Sequence, residues 1–241
     1  MMTDQEVATD HLRIIRSLME RATVYRAISA PAALFGGIIA LVTGVGMALR
    51  APGPGEPAAG SESAVAGANF LAPDHLDPPG GLEPMVFFLV WVGVLILVGL
   101  FNAVLLWRGS QARGEEFFSS GMKLALRATG PPMLAGGLIS FLLLEAGGSR
   151  ASCALLWVVF YSLALIGARS FAPRSMRWLA WMFFSAGLGL FVLLRVFGGC
   201  LGGKFSTDQA LAGLIMALTF GALHVVYALI ILCRPKGAEE I

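Results

Sequence analysis

The chain has 241 residues, 57% of them hydrophobic and 13% charged, with a formal net charge of +2 and a mean hydropathy of +0.78. A soluble domain of this length cannot cover so much apolar side chain, so a water-soluble globular fold is excluded. The small net charge and sparse basic clusters exclude a nucleic-acid partner.

The first predicted element is amphipathic. Thr9 or Asp10 can cap a helix, and Leu12, Ile15, Met19 and Ala22 then recur on one face. Arg13, Arg16, Glu20 and Arg21 are their polar neighbours, and Arg16 and Glu20 are four apart, which permits an ion pair. Residues 1–30 read as a cytoplasmic helix lying on the inner leaflet, where anionic lipid attracts arginine. Docking of a cytoplasmic protein partner on the same helix is the alternative.

Six apolar stretches follow, at 31–49, 84–106, 128–144, 151–168, 178–197 and 210–232. Each is close to the roughly 20 residues that carry a helix across about 30 Å of hydrocarbon. None alternates with period two, which excludes a β-barrel, and lipid requires each segment to satisfy its own backbone. The predicted fold is therefore an all-α membrane protein with six transmembrane helices. The first run is long enough to span and reads as a retained helix, not a cleaved signal peptide.

Between the first two spans, residues 51–83 hold six prolines, five acidic residues and no Lys or Arg. That composition predicts a mobile outer loop, with at most a short ordered piece around Phe70 and Leu71. Residues 233–241 form a tail.

Basic residues set the threading. Of the 17 Lys and Arg, all but Arg50, Arg150, Arg195 and Lys204 fall before span one, between spans two and three, between four and five, or after span six. The positive-inside rule then makes both termini cytoplasmic, in an inner (plasma) membrane.

Pro31-Ala-Ala-Leu34-Phe-Gly36-Gly37-Ile-Ile39 in span one matches Pro131-Pro-Met-Leu134-Ala-Gly136-Gly137-Leu-Ile139 in span three, at an offset of 100 residues. Both spans start from the same side, so the repeat unit is a two-helix hairpin; Ala186 and Gly187 in span five are a weak third echo. Small residues also recur every four positions, at Ala32, Gly36, Ala40, Gly44 and Ala48, and at Gly213, Ala217 and Gly221. Such stripes let helix backbones approach closely, either inside one chain or across a homo-oligomer interface.

Polar groups inside spans are costly, so each is a candidate for function. His224, Tyr227, Asn102 and Tyr161 are the ligand or pathway candidates, able to line one inward-facing pocket; the alternative is that each is buried with a single hydrogen-bond partner. Glu145, Arg150 and Arg195 are candidates for an outer-rim ion pair. No metal site is predicted, because His11, His75 and His224 fall inside, outside and within the membrane, and Cys153, Cys200 and Cys233 form no CxxC. Cys153 and Cys200 can share the outer side, which allows a disulfide. No cofactor motif is present: His224 is the lone intramembrane histidine, and HExxH, GxSxG and Walker patterns are missing.

Several of these stretches, taken together, resemble a family of uncharacterised six-span bacterial inner-membrane proteins. They are His11-Leu-Arg13-Ile-Ile-Arg16-Ser-Leu-Met19-Glu20-Arg21-Ala before a Gly-Gly first span, Leu156-Trp157 with Tyr161, Ser175-Met-Arg177, and Phe220-Gly221-Ala-Leu-His224. The chain departs at Cys233-Arg234-Pro235-Lys236, where the family has a more basic end, and in the Pro-rich insertion. The resemblance implies the N-terminal helix and the His224 stretch as family features, and no activity. With no catalytic set and an amphipathic basic segment, the sequence predicts a non-enzymatic membrane protein with a regulatory or accessory role, acting through its N-terminal helix and its cytoplasmic loops. A pull-down from membranes that recovers no specific partner counts against that role. The alternative is a small-solute transporter or channel with a pathway past His224 and Tyr227.

Overall fold

The computed structural model describes residues 11–15, 30–51, 81–114, 117–118, 120–170, 174–201 and 208–233. The described chain is helical, and six of its helices are long and apolar enough to cross a membrane. They are α1 (Ala30–Leu49), α2 (Pro84–Arg113), α3 (Ser120–Glu145), α4 (Arg150–Gly167), α5 (Arg174–Leu201) and α6, a continuous run over Asp208–Leu232. A 3-10 turn, Ala168–Ser170, follows α4. The outward faces carry bare apolar side chains, with Leu134 76% and Leu100 61% exposed, as a lipid solvent allows and water does not. The chain is a multi-pass, all-helical membrane protein.

Helix ends follow local chemistry. Pro84 opens α2, where its fixed φ fits and its missing N–H costs nothing. Gly114 closes α2 in the left-handed conformation at φ 66°. α3 and α4 are joined by a tight turn. Gly147, at φ 79°, donates to Leu144 O, and Gly148 donates to Leu143 O, which is a Schellman motif. Ser149 then caps α4 by accepting the N–H of Ser152 at 3.1 Å.

α1 and α6 run antiparallel along the small-residue stripes. A Cβ placed on Gly44 would sit 2.5 Å from Gly213 O, and one on Gly213 would sit 2.6 Å from Gly44 O. Gly221 lies equally tight on the Leu41 backbone. These stripes therefore pack against each other within one chain. Gly36 instead meets Val98 of α2, and Gly136 meets Phe160 of α4. The two copies of the repeated motif then diverge: Gly37 packs on Val225 and Gly221, while nothing lies within 4 Å of a Cβ on Gly137. α3 packs closely on α4, whereas α1 packs chiefly on α6, so the hairpins are not equivalent.

At the end of the bundle where α4 and α6 begin, polar side chains tie three helices and the segment just ahead of α2. Asp208 accepts the backbone N–H of Arg150 at 2.6 Å and of Ala151 at 3.1 Å, and its carboxylate lies 3.6 Å from the Arg150 guanidinium. Arg150 also donates to Leu82 O, just ahead of α2. Gln209 accepts from Leu82 N at 2.7 Å and donates to Met47 O near the end of α1 at 3.1 Å. Of the three outer-rim candidates, Arg150 is paired with Asp208, while Glu145 is exposed and the Arg195 side chain lies outside the described residues. Arg150, Asp208 and Gln209 each make at least one hydrogen bond in this cluster, as burial demands.

Two further expectations are resolved or fall outside. Cys153 is a free thiol, fully buried in the core beside Ser140, so the disulfide with Cys200 is not formed. Of the N-terminal helix, residues 11–15 are helical with Leu12 and Ile15 exposed; residues 16–29, the outer loop over 52–80 with Phe70 and Leu71, and the tail over 234–241 lie outside the described residues.

Candidate functional site

The site begins with a change of helix type. α6 is α-helical over Asp208–Met216, π-helical over Ala217–Leu223, and α-helical again from His224 to Leu232. Such π-turns are rare inside α-helices and frequent at functional sites. At the end of this one, His224 Nδ1 lies 2.9 Å from Phe220 O. In the neutral ring this nitrogen donates, which leaves Nε2 to accept the Tyr161 hydroxyl at 2.8 Å. Tyr161, on α4, thereby joins the imidazole across the bundle. Around them stand Phe183 and Phe220, with ring centroids 5.1 and 6.2 Å from His224. The pair sits in an aromatic cage that offers no counter-charge.

This pair forms part of the wall of a cavity of about 300 Å³. All four pathway candidates line it, namely His224, Tyr227, Asn102 and Tyr161. The rest of the wall is apolar and comes from all six helices, with Gly36 and Ala40 of α1, Met133 and Gly136 of α3, and Met176 and Leu179 of α5 among the contributors. Small residues make the space: where α1 and α3 pass the cavity they present Ala32, Ala33, Gly36, Gly136 and Gly137 instead of bulk. None of the lining residues is Lys, Arg, Asp or Glu.

The height of each polar group follows from the packing. Phe35 stacks on Phe101, Gly36 meets Val98, and Gly37 meets Val225. Asn102 is one residue past Phe101 and Tyr227 two past Val225, so both stand just beyond that level, toward the end where α1 starts and α6 finishes. Trp91 lies on the same face of α2 as Asn102, eleven residues earlier, which is about three turns or 16 Å along the axis. Trp91 is 3% exposed and its indole N–H has no hydrogen-bond partner among the described residues; the same holds for the buried Asn102 Oδ1. An orphaned donor and an orphaned acceptor thus belong to two residues of one cavity's wall, each costly unless something completes it.

Sequence reasoning missed Trp91, Asp208 and Gln209. Trp91 had a usable signal, since eleven residues return a helix to within about 20° of the same face. The described residues contain no group of three His, Cys, Asp or Glu placed to hold a metal ion. No family model matches the chain, and no curated protein or solved structure compared with it matches either.

Proposed function

We propose that this protein binds a small uncharged molecule in its intramembrane cavity and acts without catalysis, as a carrier or sensor of that molecule. The observation that supports this reading is the convergence of His224, Tyr227, Asn102 and Tyr161 on one cavity whose wall is otherwise apolar. A ligand site of this kind is concave, mostly apolar, and punctuated by a few polar groups. The hydrogen bond between Tyr161 and His224 closes the polar side of the wall, and one hydroxyl and one neutral imidazole sharing a proton do not make a catalytic set. A regulatory role through the N-terminal segment is compatible with this reading, since Leu12 and Ile15 stand exposed on the helical stretch 11–15.

The membrane is proposed to be a bacterial inner membrane with both termini cytoplasmic, on the asymmetry of Lys and Arg. The cavity then belongs to the cytoplasmic half of the bundle at its Asn102 and Tyr227 end. A reporter fused after Ile241 is expected to be active only in the cytoplasm; a periplasmic signal overturns the orientation.

The binding claim is tested by filling the cavity. Gly137 lines it, and a Cβ there meets nothing within 4 Å, so Gly137→Phe is the substitution chosen to fill the space. Native mass spectrometry of protein purified in mild detergent is expected to show a small-molecule adduct on the wild type. The variant is expected to lose it by about ten-fold or more, equivalent to roughly 1.4 kcal/mol. Equal adducts on both proteins, or none on either, overturn the reading.

A further inference from the structure

The reading of the cavity as a binding site fixes where a ligand sits, and the wall chemistry narrows what it is. We propose that the occupant is an elongated, uncharged, lipid-like molecule with a hydrogen-bonding oxygen at each end, taken up from the bilayer along α2. This inference rests on the binding reading given above.

Three observations carry it. First, no Lys, Arg, Asp or Glu lines the cavity, so a carboxylate, phosphate or ammonium would be buried without a counter-charge. Second, two cavity-wall residues of α2 carry polar atoms with no hydrogen-bond partner among the described residues: Trp91 N–H, which needs an acceptor, and Asn102 Oδ1, which needs a donor. They are about three helical turns apart, and the α2 residues between them on that face are Val94, Leu95 and Val98. A hydroxyl supplies donor and acceptor alike, so a hydroxyl at each end of an apolar body satisfies both. Third, Leu95 and Gly99 line the cavity yet are exposed on the outside of the bundle, with Leu95 52% exposed. α2 is also the least buried of the six spans. The wall beside α2 is therefore the one that faces lipid, and an apolar molecule dissolved there has the shortest way in.

The volume agrees with a slender occupant. At about 300 Å³ the cavity is at the small end for ligand sites, and a two-chain phospholipid does not fit within it.

The experiment uses the full chain in nanodiscs with three probes of equal carbon number: 1,12-dodecanediol, 1-dodecanol and dodecanoate at pH 8. Relative retention is read by native mass spectrometry. The diol is expected to bind best. 1-Dodecanol, which completes one end only, is expected to bind roughly two- to ten-fold more weakly, the worth of one hydrogen bond. Dodecanoate is expected not to be retained. Trp91→Phe, which keeps the ring packing, and Asn102→Leu are each expected to reduce the diol to the level of 1-dodecanol. Dodecanoate binding as well as the diol, or diol binding unchanged in both variants, overturns the inference. The two claims fail separately. If Gly137→Phe removes a co-purifying molecule while the diol fails to bind, the ligand class is wrong and the binding site stands. If filling the cavity changes nothing, the binding reading itself falls.

Discussion

Asp208→Ala lowers the stability of the purified protein by about 3–5 kcal/mol, the cost of leaving one member of a buried ion pair alone. The side chains of Arg150 and Asp208 are 3% and 18% exposed, so neither charge is well hydrated. The carboxylate also accepts the first two N–H groups of α4, and those donors lose their acceptor in the same step. Asp208→Asn keeps an oxygen for the backbone and removes the charge, so it costs less than Asp208→Ala. The double variant Arg150→Met with Asp208→Asn recovers most of the loss, because replacing a buried pair by groups that need no counter-charge is often close to neutral. Unfolding of each variant in mixed detergent measures this series. A double variant as unstable as the sum of its parts would contradict the pairing.

Gly213→Ala destabilises by about 1–3 kcal/mol, the range for overpacking a close interface. The added methyl would lie 2.6 Å from Gly44 O and 3.0 Å from Ala48 N, both backbone atoms that no rotamer change can move. α1 and α6 must separate to admit it. Gly44→Ala meets the same obstacle from the other side, at 2.5 Å from Gly213 O. Once the helices have separated, the second methyl costs little, so the double variant is less destabilised than the sum. Gly99→Ala is the control. Its methyl meets nothing within 4 Å, and it gains helix propensity, so its stability is unchanged or slightly raised. The same unfolding measurement reads all four proteins. Equal effects of Gly213→Ala and Gly99→Ala would remove the α1–α6 seam as the tight contact.

The six spans were legible because hydrocarbon thickness sets the length of an uncharged run, and each predicted stretch overlaps one of the six long apolar helices. The helices run further than the stretches at some ends. α2 continues to Arg113, α3 starts at Ser120 and α5 at Arg174, since polar residues outside hydrocarbon can stay helical. His224 and Tyr161 were legible one at a time, because a polar group in a span stands out. Their hydrogen bond was not, because it joins α4 to α6 across the bundle, between residues sixty-three apart in sequence. Asp208 as a partner of Arg150 was not legible for a related reason. Glu145 is five residues away in sequence and Asp208 fifty-eight, yet Asp208 is the neighbour once α4 and α6 stand side by side. Hydropathy fixes how many helices cross the membrane and leaves their order around the bundle open. The small-residue stripes carried part of that order: α1 and α6 have matching ones and lie together.

The central claim is that Trp91 and Asn102 mark the two ends of an occupied cavity inside the bundle. An experimental density map of the protein in a lipid nanodisc tests it most directly. The account predicts one elongated feature along α2, running from the Trp91 indole to the Asn102 amide and passing the Tyr161–His224 pair. A map in which side chains close this space, or in which it is empty while Trp91 and Asn102 are bonded elsewhere, would contradict it.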